Sequence, residues 1–505
     1  MGNQNITEEK QILKKNNTSF KGDVFRLVGG TVIAQIIGII TVPVISRFFG
    51  PEAYGIAALF LSITGVLAVI SCWRYEIAIV VPEKDEEAAS VFFVSLFSAL
   101  ITTLLTSVLT AFYAEPIFRF LKSESLLPFK WFIPVFVLLH GFFLAFNSWN
   151  NRTKRFNKIA LAGVLNSTST RLINIITGLS GKASGGAMIG AYTAGQAIAA
   201  STLGLQIAKN DSRFLKTNFS FGSILEAIKR YKKFPLISIW SAFLNTLSIN
   251  LPPILLTYYF NSAIVGFFSF GHRLLTFPMS LIGNSISQVF FQRSSEAKQN
   301  QTLDILTEKT IKILVVSIFP TMLLMVIAPD LFGFVFGEQW IEAGIYARIL
   351  APWMLGVFIC SPISSISDLL NKQEISLLMN ILLLLTRAIS IIIGGVYQNI
   401  YLALICFSLS GALIFTSFNL YCITLTGIPF KPIAKILLSN FLSSIAFLSP
   451  ILVIKTIFHI SYIIEFLLAA LLLLFYLTYI YKTNKQFKDC INPLKQFIFN
   501  LCRKS

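Results

Sequence analysis

Apolar runs long enough to cross a lipid bilayer follow one another almost end to end along this chain of 505 residues. A bilayer core of about 30 Å takes about 20 apolar residues in one helix. Only 13% of the residues are charged, against about 25% in an average soluble domain. No segment alternates polar and apolar residues over units of about ten, the pattern of a membrane β-barrel. The sequence therefore predicts an all-α polytopic membrane protein.

The runs and the breaks between them predict about 14 transmembrane helices. Two sets of six helices are separated by a polar stretch, and two more helices follow the second set. We predict a cytoplasmic N-terminal segment, an N-lobe, a cytoplasmic amphipathic linker, a C-lobe, a final helix pair and a basic cytoplasmic tail, at residues 1–23, 24–208, 209–234, 235–425, 426–481 and 482–505.

The net charge of +18 does not indicate a nucleic-acid partner, because the basic residues are concentrated on one predicted side of the membrane. Clusters occur at 152–158, 209–233 and 482–504. An even number of helices puts both termini on the same side, and the excess of lysine and arginine identifies that side as cytoplasmic. The same clusters favour contact with anionic lipid headgroups.

An internal repeat is visible in the predicted fifth and eleventh helices. A Thr-Arg pair followed by a glycine occurs at 170–178 and again, with the same internal spacing, at 386–394. Six helices per half keep the two halves in the same orientation. The repeat is therefore parallel, and transporters built in this way bind substrate between their halves. We predict two six-helix lobes around a central cavity, with two extra C-terminal helices.

Arginines deep in apolar runs are the leading candidates for a binding site. Arg171, Arg273 and Arg387 lie near the middle of their predicted helices, where each costs roughly 2.5–3.5 kcal/mol unless it meets water or an anion. A guanidinium binds phosphate oxygens through paired hydrogen bonds, so the three residues predict a cavity for an anionic substrate. The alternative is that each binds backbone carbonyls freed at a helix break. Arg74 is a secondary candidate, and pairing with Glu76 or contact with headgroups also accounts for it.

Two histidines and three prolines are further candidates inside the predicted helices. His140 and His272 could carry a coupling proton, since imidazole titrates near neutral pH; the alternative is a packed, hydrogen-bonded side chain. Pro43, Pro252 and Pro253 are hinge candidates for alternating access, and static kinks are the alternative.

The chain contains no pattern typical of an enzyme, a metal site or a cofactor site. A phosphate-binding loop of the Gly-Lys-Ser/Thr type is absent. The six cysteines have no metal-ligand spacing, and we expect free thiols. No segment outside the apolar runs is long enough for a catalytic domain. We therefore predict no catalytic residues, no bound metal and no cofactor.

Three stretches resemble a known family. The stretch RYEIAIVVPEKDEEAA, residues 74–89, and the longer stretch 336–374 resemble bacterial polysaccharide-biosynthesis (Wzx-like) oligosaccharide flippases. The opening 29–55 is similar to the wider superfamily that also contains MATE-type multidrug exporters. The resemblance covers essentially the whole chain.

The resemblance implies a flippase that moves an undecaprenyl-diphosphate-linked oligosaccharide to the outer leaflet of the bacterial cytoplasmic membrane. The translocated lipid would serve the synthesis of O-antigen and lipopolysaccharide, capsule or exopolysaccharide. The cationic residues of the cavity would bind the diphosphate. The implied partners are this lipid, membrane lipids, H⁺ or Na⁺ as a coupling ion, and a polysaccharide polymerase with other assembly proteins.

Two other functions stay open at this stage. A MATE-type multidrug or cation antiporter is the main alternative, although such an exporter needs buried carboxylates and the apolar runs contain few. A polymerase or ligase for the same lipids would need a sizeable outer loop with catalytic residues, and every predicted outer loop is short.

Overall fold

The computed structural model describes residues 34–278, 283–457, 461–489 and 492. The predicted segment 1–23, the start of the first predicted helix and most of the predicted tail lie outside these residues. The described chain is helical and contains no strand, which confirms the all-α prediction.

Nineteen α-helices occur in the described residues. They are α1 (Ala34–Phe48), α2 (Pro51–Val69), α3 (Tyr75–Ala78), α4 (Asp85–Phe120), α5 (Phe132–Arg152), α6 (Phe156–Leu179), α7 (Gly185–Thr217), α8 (Phe221–Arg230), α9 (Ile239–Tyr259), α10 (Ser262–Pro278), α11 (Asn284–Gln299), α12 (Leu303–Leu314), α13 (Ile318–Phe336), α14 (Ile341–Ile363), α15 (Ser365–Leu369), α16 (Gln373–Val396), α17 (Ile400–Thr424), α18 (Phe430–Ile457) and α19 (Tyr462–Thr483).

Eleven helical segments of the described chain are long and apolar enough to cross a membrane. They include α2, α4, α5, α6, α16, α17, α18 and α19, and the continuous segments that end with α9, α13 and α15. Of the other predicted spans, α1 and α10 are shorter, and α7 is less apolar because small and polar residues fill it. The chain is a multi-pass membrane protein, and the predicted count of fourteen is not confirmed.

The helix ends support the internal repeat. Residues with a left-handed backbone follow helices at corresponding positions in the two halves: Lys154 and Asn371, and Gly181 and Gln398. The next residue then donates the long backbone hydrogen bond of a helix C-cap. Lys182 N–H binds Thr177 O at 3.0 Å, and Asn399 N–H binds Gly394 O at 2.8 Å. The same turns therefore recur at nearly the same offset as the Thr-Arg pair.

The first compact unit of the chain ends at Gly266. In it α6 packs along α7, α5 packs against α4 and α7, and α9 packs along α2. The start of α10 crosses α2 so closely that a Cβ on Gly55 would lie 1.7 Å from Ser262 O, and one on Gly266 would lie 1.8 Å from Pro51 O. Only glycine permits this crossing. Helix α9, predicted to begin the C-lobe, thus packs within the first unit.

The amphipathic stretch predicted within the linker forms α8, which is docked on the first unit. Ile224 and Ala227 are buried against α4, while Phe221 is 76% exposed. The Tyr231 hydroxyl donates to Glu87 Oε1 at 3.0 Å, and Arg230 Nη1 lies 2.8 Å from the same oxygen. Contact of α8 with lipid headgroups stays a prediction.

The second unit begins at Phe267. Its centre is formed by α13, α14, α16 and α17, and the final pair, α18 and α19, packs on α13. Phe319 and Tyr476 stack in this contact with ring centroids 4.3 Å apart. Lys455 of α18 binds Asp330 of α13 and lies 2.7 Å from Glu465 Oε1 of α19. This charged cluster lies inside apolar helices, and the sequence reasoning did not identify it.

Candidate functional site

Arg171 lies on the buried face of α6, beside α1. The Ser167 hydroxyl donates to Ala34 O at 2.9 Å, and a Cβ on Gly178 would approach the Phe48 side chain to 2.8 Å. Between these two contacts, a Cβ on Gly38 would lie 3.5 Å from Arg171 Nη2. Arg171 is 9% exposed. The guanidinium of Arg171 therefore lies within van der Waals reach of α1 at Gly38.

Polar side chains from α6 and α7 accompany Arg171. Asn166 Nδ2 donates to Gln196 Oε1 at 3.3 Å, and the Thr170 hydroxyl donates to Asn166 Oδ1 at 3.4 Å. One turn after Arg171, Asn174 is fully buried, and neither of its amide atoms has a hydrogen-bond partner in the described part of the chain. We call Asn166, Thr170, Arg171, Asn174 and Gln196 the polar pocket. A buried amide without a partner costs roughly 1–3 kcal/mol.

Arg387 has an aromatic environment in the second unit. Its guanidinium carbon lies 5.6 Å from the centre of the Trp353 ring and 5.8 Å from that of Phe407. These rings come from α14 and α17, and α17 packs along both α14 and α16. Both distances fall within the range of cation–π attraction, so the aromatic rings stabilise the cation inside the apolar helices.

His272 extends this aromatic group. Its ring stacks on Phe268 at 5.8 Å and on Trp353 at 5.4 Å, with interplanar angles of 10° and 14°. We call Phe268, His272, Trp353, Arg387 and Phe407 the aromatic cluster. In the first unit His140 likewise stacks on Phe136, at 6.1 Å and 14°. Both histidines are therefore packed side chains, and their role in proton coupling stays a prediction.

The two remaining arginine candidates, Arg273 and Arg74, have surroundings unlike those of Arg171 and Arg387. Arg273 is exposed on α10. Arg74 was predicted inside a helix, but it precedes α3 with a φ of +65°, because α2 ends before the polar residues of the motif. Its Nη1 lies 3.3 Å from Glu76 Oε1, which confirms the predicted pairing. Burial raises the pKa of Glu76 above its ordinary value, against the opposing effect of Arg74.

The proline candidates lie within helices, as predicted. Pro252 and Pro253 are buried in the middle of α9, and the Thr257 hydroxyl donates to Pro253 O at 2.8 Å. In α1, the Ser46 hydroxyl donates to Pro43 O at 3.1 Å. Hydroxyl groups thus satisfy carbonyls close to both proline positions. A hinge function stays a prediction.

The structure brings together residues that the sequence reasoning kept apart or missed. It places His272 and Arg387 on Trp353, which was not a candidate. It also places Arg348 Nη2 3.2 Å from Val326 O, beside the Lys455 cluster. Charged residues inside apolar runs were the available signal for Lys455 and Arg348. Within the described residues, no group of three His, Cys, Asp or Glu side chains could hold a metal ion.

The comparisons with known proteins identify the family. The sequence profile described as polysaccharide biosynthesis protein matches residues 44–344. The chain belongs to this family. No curated protein sequence matches this polysaccharide biosynthesis protein.

Solved structures share its fold at low sequence identity. The structure titled "Lipid II flippase MurJ, inward closed conformation" has a TM-score of 0.72 and 16% identity, over 90% of this chain and 99% of that chain. An inward-facing multidrug resistance MATE family transporter of the MOP superfamily has a TM-score of 0.60 and 15% identity, over 79% and 96%. A variant of the Vibrio cholerae MATE transporter VcmN has a TM-score of 0.51 and 12% identity, over 80% of this chain and 95% of that chain. The polysaccharide biosynthesis protein thus has the fold of flippases and transporters.

Proposed function

We propose that this chain translocates an undecaprenyl-diphosphate-linked oligosaccharide from the cytoplasmic to the outer leaflet of the bacterial cytoplasmic membrane by alternating access. The family supports a role in polysaccharide biosynthesis. The fold is shared with a lipid II flippase, which supports a lipid-linked substrate. O-antigen, capsule and exopolysaccharide are the surface polymers that such a flippase serves.

The observation that carries the proposal is the repeated pair Arg171 and Arg387. Both helices that hold them, α6 and α16, have 24 residues, and each arginine lies somewhat past the middle of its helix. Because a helix rises about 1.5 Å per residue, both cations lie well inside the bilayer. A diphosphate offers paired oxygens to each guanidinium, and these charge-assisted hydrogen bonds offset the cost of burying the cations. Arg273 is the third candidate for this contact.

A MATE-type cation antiporter is the alternative. Such a transporter needs buried carboxylates for its substrate or coupling ion. Among the described membrane-spanning helices, one carboxylate is buried, that of Glu465. It is already bound to Lys455. The buried arginines Arg171 and Arg387 instead favour an anionic substrate.

The membrane potential provides a driving force for the proposed direction. Moving each negative charge outward gains about 2.3 kcal/mol per 100 mV, and exchange with H⁺ or Na⁺ would add to this gain. The polyprenyl chain would remain in lipid while the diphosphate contacts the arginines. A polysaccharide polymerase and its assembly proteins would then receive the lipid at the outer leaflet.

Alanine substitution of the arginines tests the proposal. Arg171→Ala and Arg387→Ala should each abolish surface polysaccharide while the protein still inserts at the parent level. Lysine should restore export only in part, because it keeps the charge and loses the planar donor pair. Arg119→Ala is the matched control, since Arg119 is exposed and pairs with Glu115. Normal export by both alanine variants would make the arginines structural.

Labelling tests the proposed orientation, with both termini in the cytoplasm. Cysteines replacing Lys216 and Lys485 should not react with a membrane-impermeant maleimide in intact cells, and should react after permeabilisation. A cysteine at Lys122, in a predicted outer loop, should react in both preparations. Reaction of either cytoplasmic position in intact cells would reverse the orientation.

A further inference from the structure

We propose that Trp353 is a positioning residue for Arg387, holding the guanidinium so that its N–H groups face an incoming phosphate. This inference rests on the proposed function. Attraction to a ring acts through the π face. A guanidinium donates its hydrogen bonds to oxygen along its edges, in the plane of the group. An aromatic support can therefore hold a cation inside the membrane and preserve its capacity to bind an anion.

The indole ring is itself held in one orientation. Its face stacks on His272 at 5.4 Å, and the Phe407 ring meets it edge-on at 5.2 Å and 83°. A Cβ on Gly411 would lie 2.5 Å from Trp353 Cδ1, so the α17 backbone leaves no room for the ring to move in that direction. Trp353 is 5% exposed. The support for Arg387 is therefore rigid before any ligand binds.

Packing alone does not explain a tryptophan at this position. The Trp353 Nε1–H group is buried and has no acceptor among the described residues. A buried donor without an acceptor is unfavourable, and phenylalanine would fill an apolar site without that penalty. An indole ring attracts a cation over its face more strongly than the phenyl ring of phenylalanine does. Contact with Arg387 is the interaction that uses this difference.

Binding of inorganic pyrophosphate to the full-length protein in nanodiscs tests the proposal. Trp353→Leu should weaken the affinity roughly 10-fold and Trp353→Phe roughly 3-fold, because the ring of phenylalanine attracts a cation less strongly. Trp340→Phe is the matched control: Trp340 is fully buried in the same unit and stacks on Phe270 at 4.0 Å. Its substitution should leave the affinity unchanged.

A double substitution separates positioning from general packing. In an Arg387→Gln background, Trp353→Leu should cause no further loss of pyrophosphate affinity. An equal loss in both backgrounds, or parental affinity of Trp353→Leu, would overturn the positioning role while leaving Arg387 as the anion contact. Parental affinity of Arg387→Gln itself would instead remove the basis of the proposed function.

Tryptophan fluorescence provides a second readout that does not require Trp353→Leu to fold. Pyrophosphate should change the emission of the parent protein and of Trp340→Phe, and this change should disappear in Trp353→Phe. If pyrophosphate changed the emission of the parent and of Trp353→Phe equally, the arginine that binds the anion would not be in contact with the Trp353 indole.

Discussion

Arg171 and Arg387 occupy matching positions in two similar helices, yet their surroundings are opposite in character. Arg171 lies in the polar pocket, beside the α1 backbone at Gly38 and one turn from the buried Asn174. Arg387 lies against the rings of Trp353 and Phe407. An internal repeat can therefore keep an arginine at one position of a helix while the side chains around it differ between the halves. Polar side chains of α6 and α7 lie near Arg171, and aromatic rings from two other helices contact Arg387.

Methionine at each arginine position should separate the two environments most strongly. We expect export to be lost in both Arg171→Met and Arg387→Met. Thermal unfolding should show Arg387→Met unchanged or stabilised by about 1 kcal/mol, because a thioether packs well on aromatic rings. Arg171→Met should lose about 1–3 kcal/mol, because the polar pocket would face an apolar side chain. Equal shifts in the two variants would contradict the comparison, and Arg119→Met serves as the exposed control.

Alanine at a glycine in each region should reveal how rigid the two environments are. In Gly411→Ala the new methyl would meet the rigid Trp353 ring at 2.5 Å; in Gly195→Ala it would meet the Thr170 hydroxyl at 2.1 Å. The Thr170 oxygen can move only by rotation of a buried β-branched side chain, and the Gly195 methyl would also lie 2.7 Å from Asn166 Oδ1 and 3.0 Å from Asn166 O. We therefore expect both substitutions to cost about 2 kcal/mol in unfolding free energy. Gly163→Ala is the control: with nothing within 4 Å, it should stabilise α6 by up to about 1 kcal/mol. A neutral effect of Gly411→Ala or Gly195→Ala would show that the surroundings of that glycine can shift.

Leucine at Asn174 should test whether the polar pocket serves function rather than stability. Because the Asn174 amide has no partner among the described residues, Asn174→Leu should stabilise the protein by about 1 kcal/mol and lower export. Asn150 is the matched control, since it is equally buried and donates to Phe146 O at 2.8 Å. Asn150→Leu should destabilise. Destabilisation by both substitutions, measured by thermal unfolding, would assign Asn174 a structural role.

Arg155, an arginine with a carboxylate partner, completes the comparison. Substitution of that partner should have the smallest effect. Arg155 Nη2 donates to Asp211 Oδ1 at 2.7 Å, and Trp149 Nε1 donates to Asp211 Oδ2 at 2.9 Å. Burial alone would raise the pKa of Asp211, but these hydrogen bonds outweigh burial and lower it. Asp211→Asn should therefore cost about 1 kcal/mol at neutral pH and leave export intact.

The pH dependence of this last effect follows from the sign of the shift. Because the pKa of Asp211 is lowered in the folded state, its ionised form stabilises the protein at every pH above the pKa of an unfolded aspartate, about 3.9. This stabilisation is lost as the pH falls through the pKa of Asp211 in the folded protein. The difference in unfolding temperature between parent and Asp211→Asn should be constant near neutrality and shrink below about pH 4. A difference that persists in acid would remove the ion pair as its cause.

Local and periodic features were predictable from the sequence. Helical class follows from the length of the apolar runs, and the repeat follows from a Thr-Arg spacing that recurs in the second half of the chain. The Arg74–Glu76 pair was predictable because its members are two positions apart. The break after α2 was missed, since Ile70 to Trp73 continue the apolar run with Ser71 as the one polar residue. The count of spans was not confirmed, because apolarity in small-residue helices such as α7 is marginal.

The sequence by itself determined that this chain is helical, lies in a membrane, repeats once and carries arginines at matching positions of two helices. These properties depend on hydrophobicity and on distances along one helix. Only the tertiary structure decided which groups surround each arginine. Trp353 and Phe407 reach Arg387 from two other helices, and Lys455 of α18 meets Asp330 of α13, far apart along the chain. Such contacts depend on the rotation of each helix against its neighbours, which packing of the whole unit determines and periodicity along one helix does not.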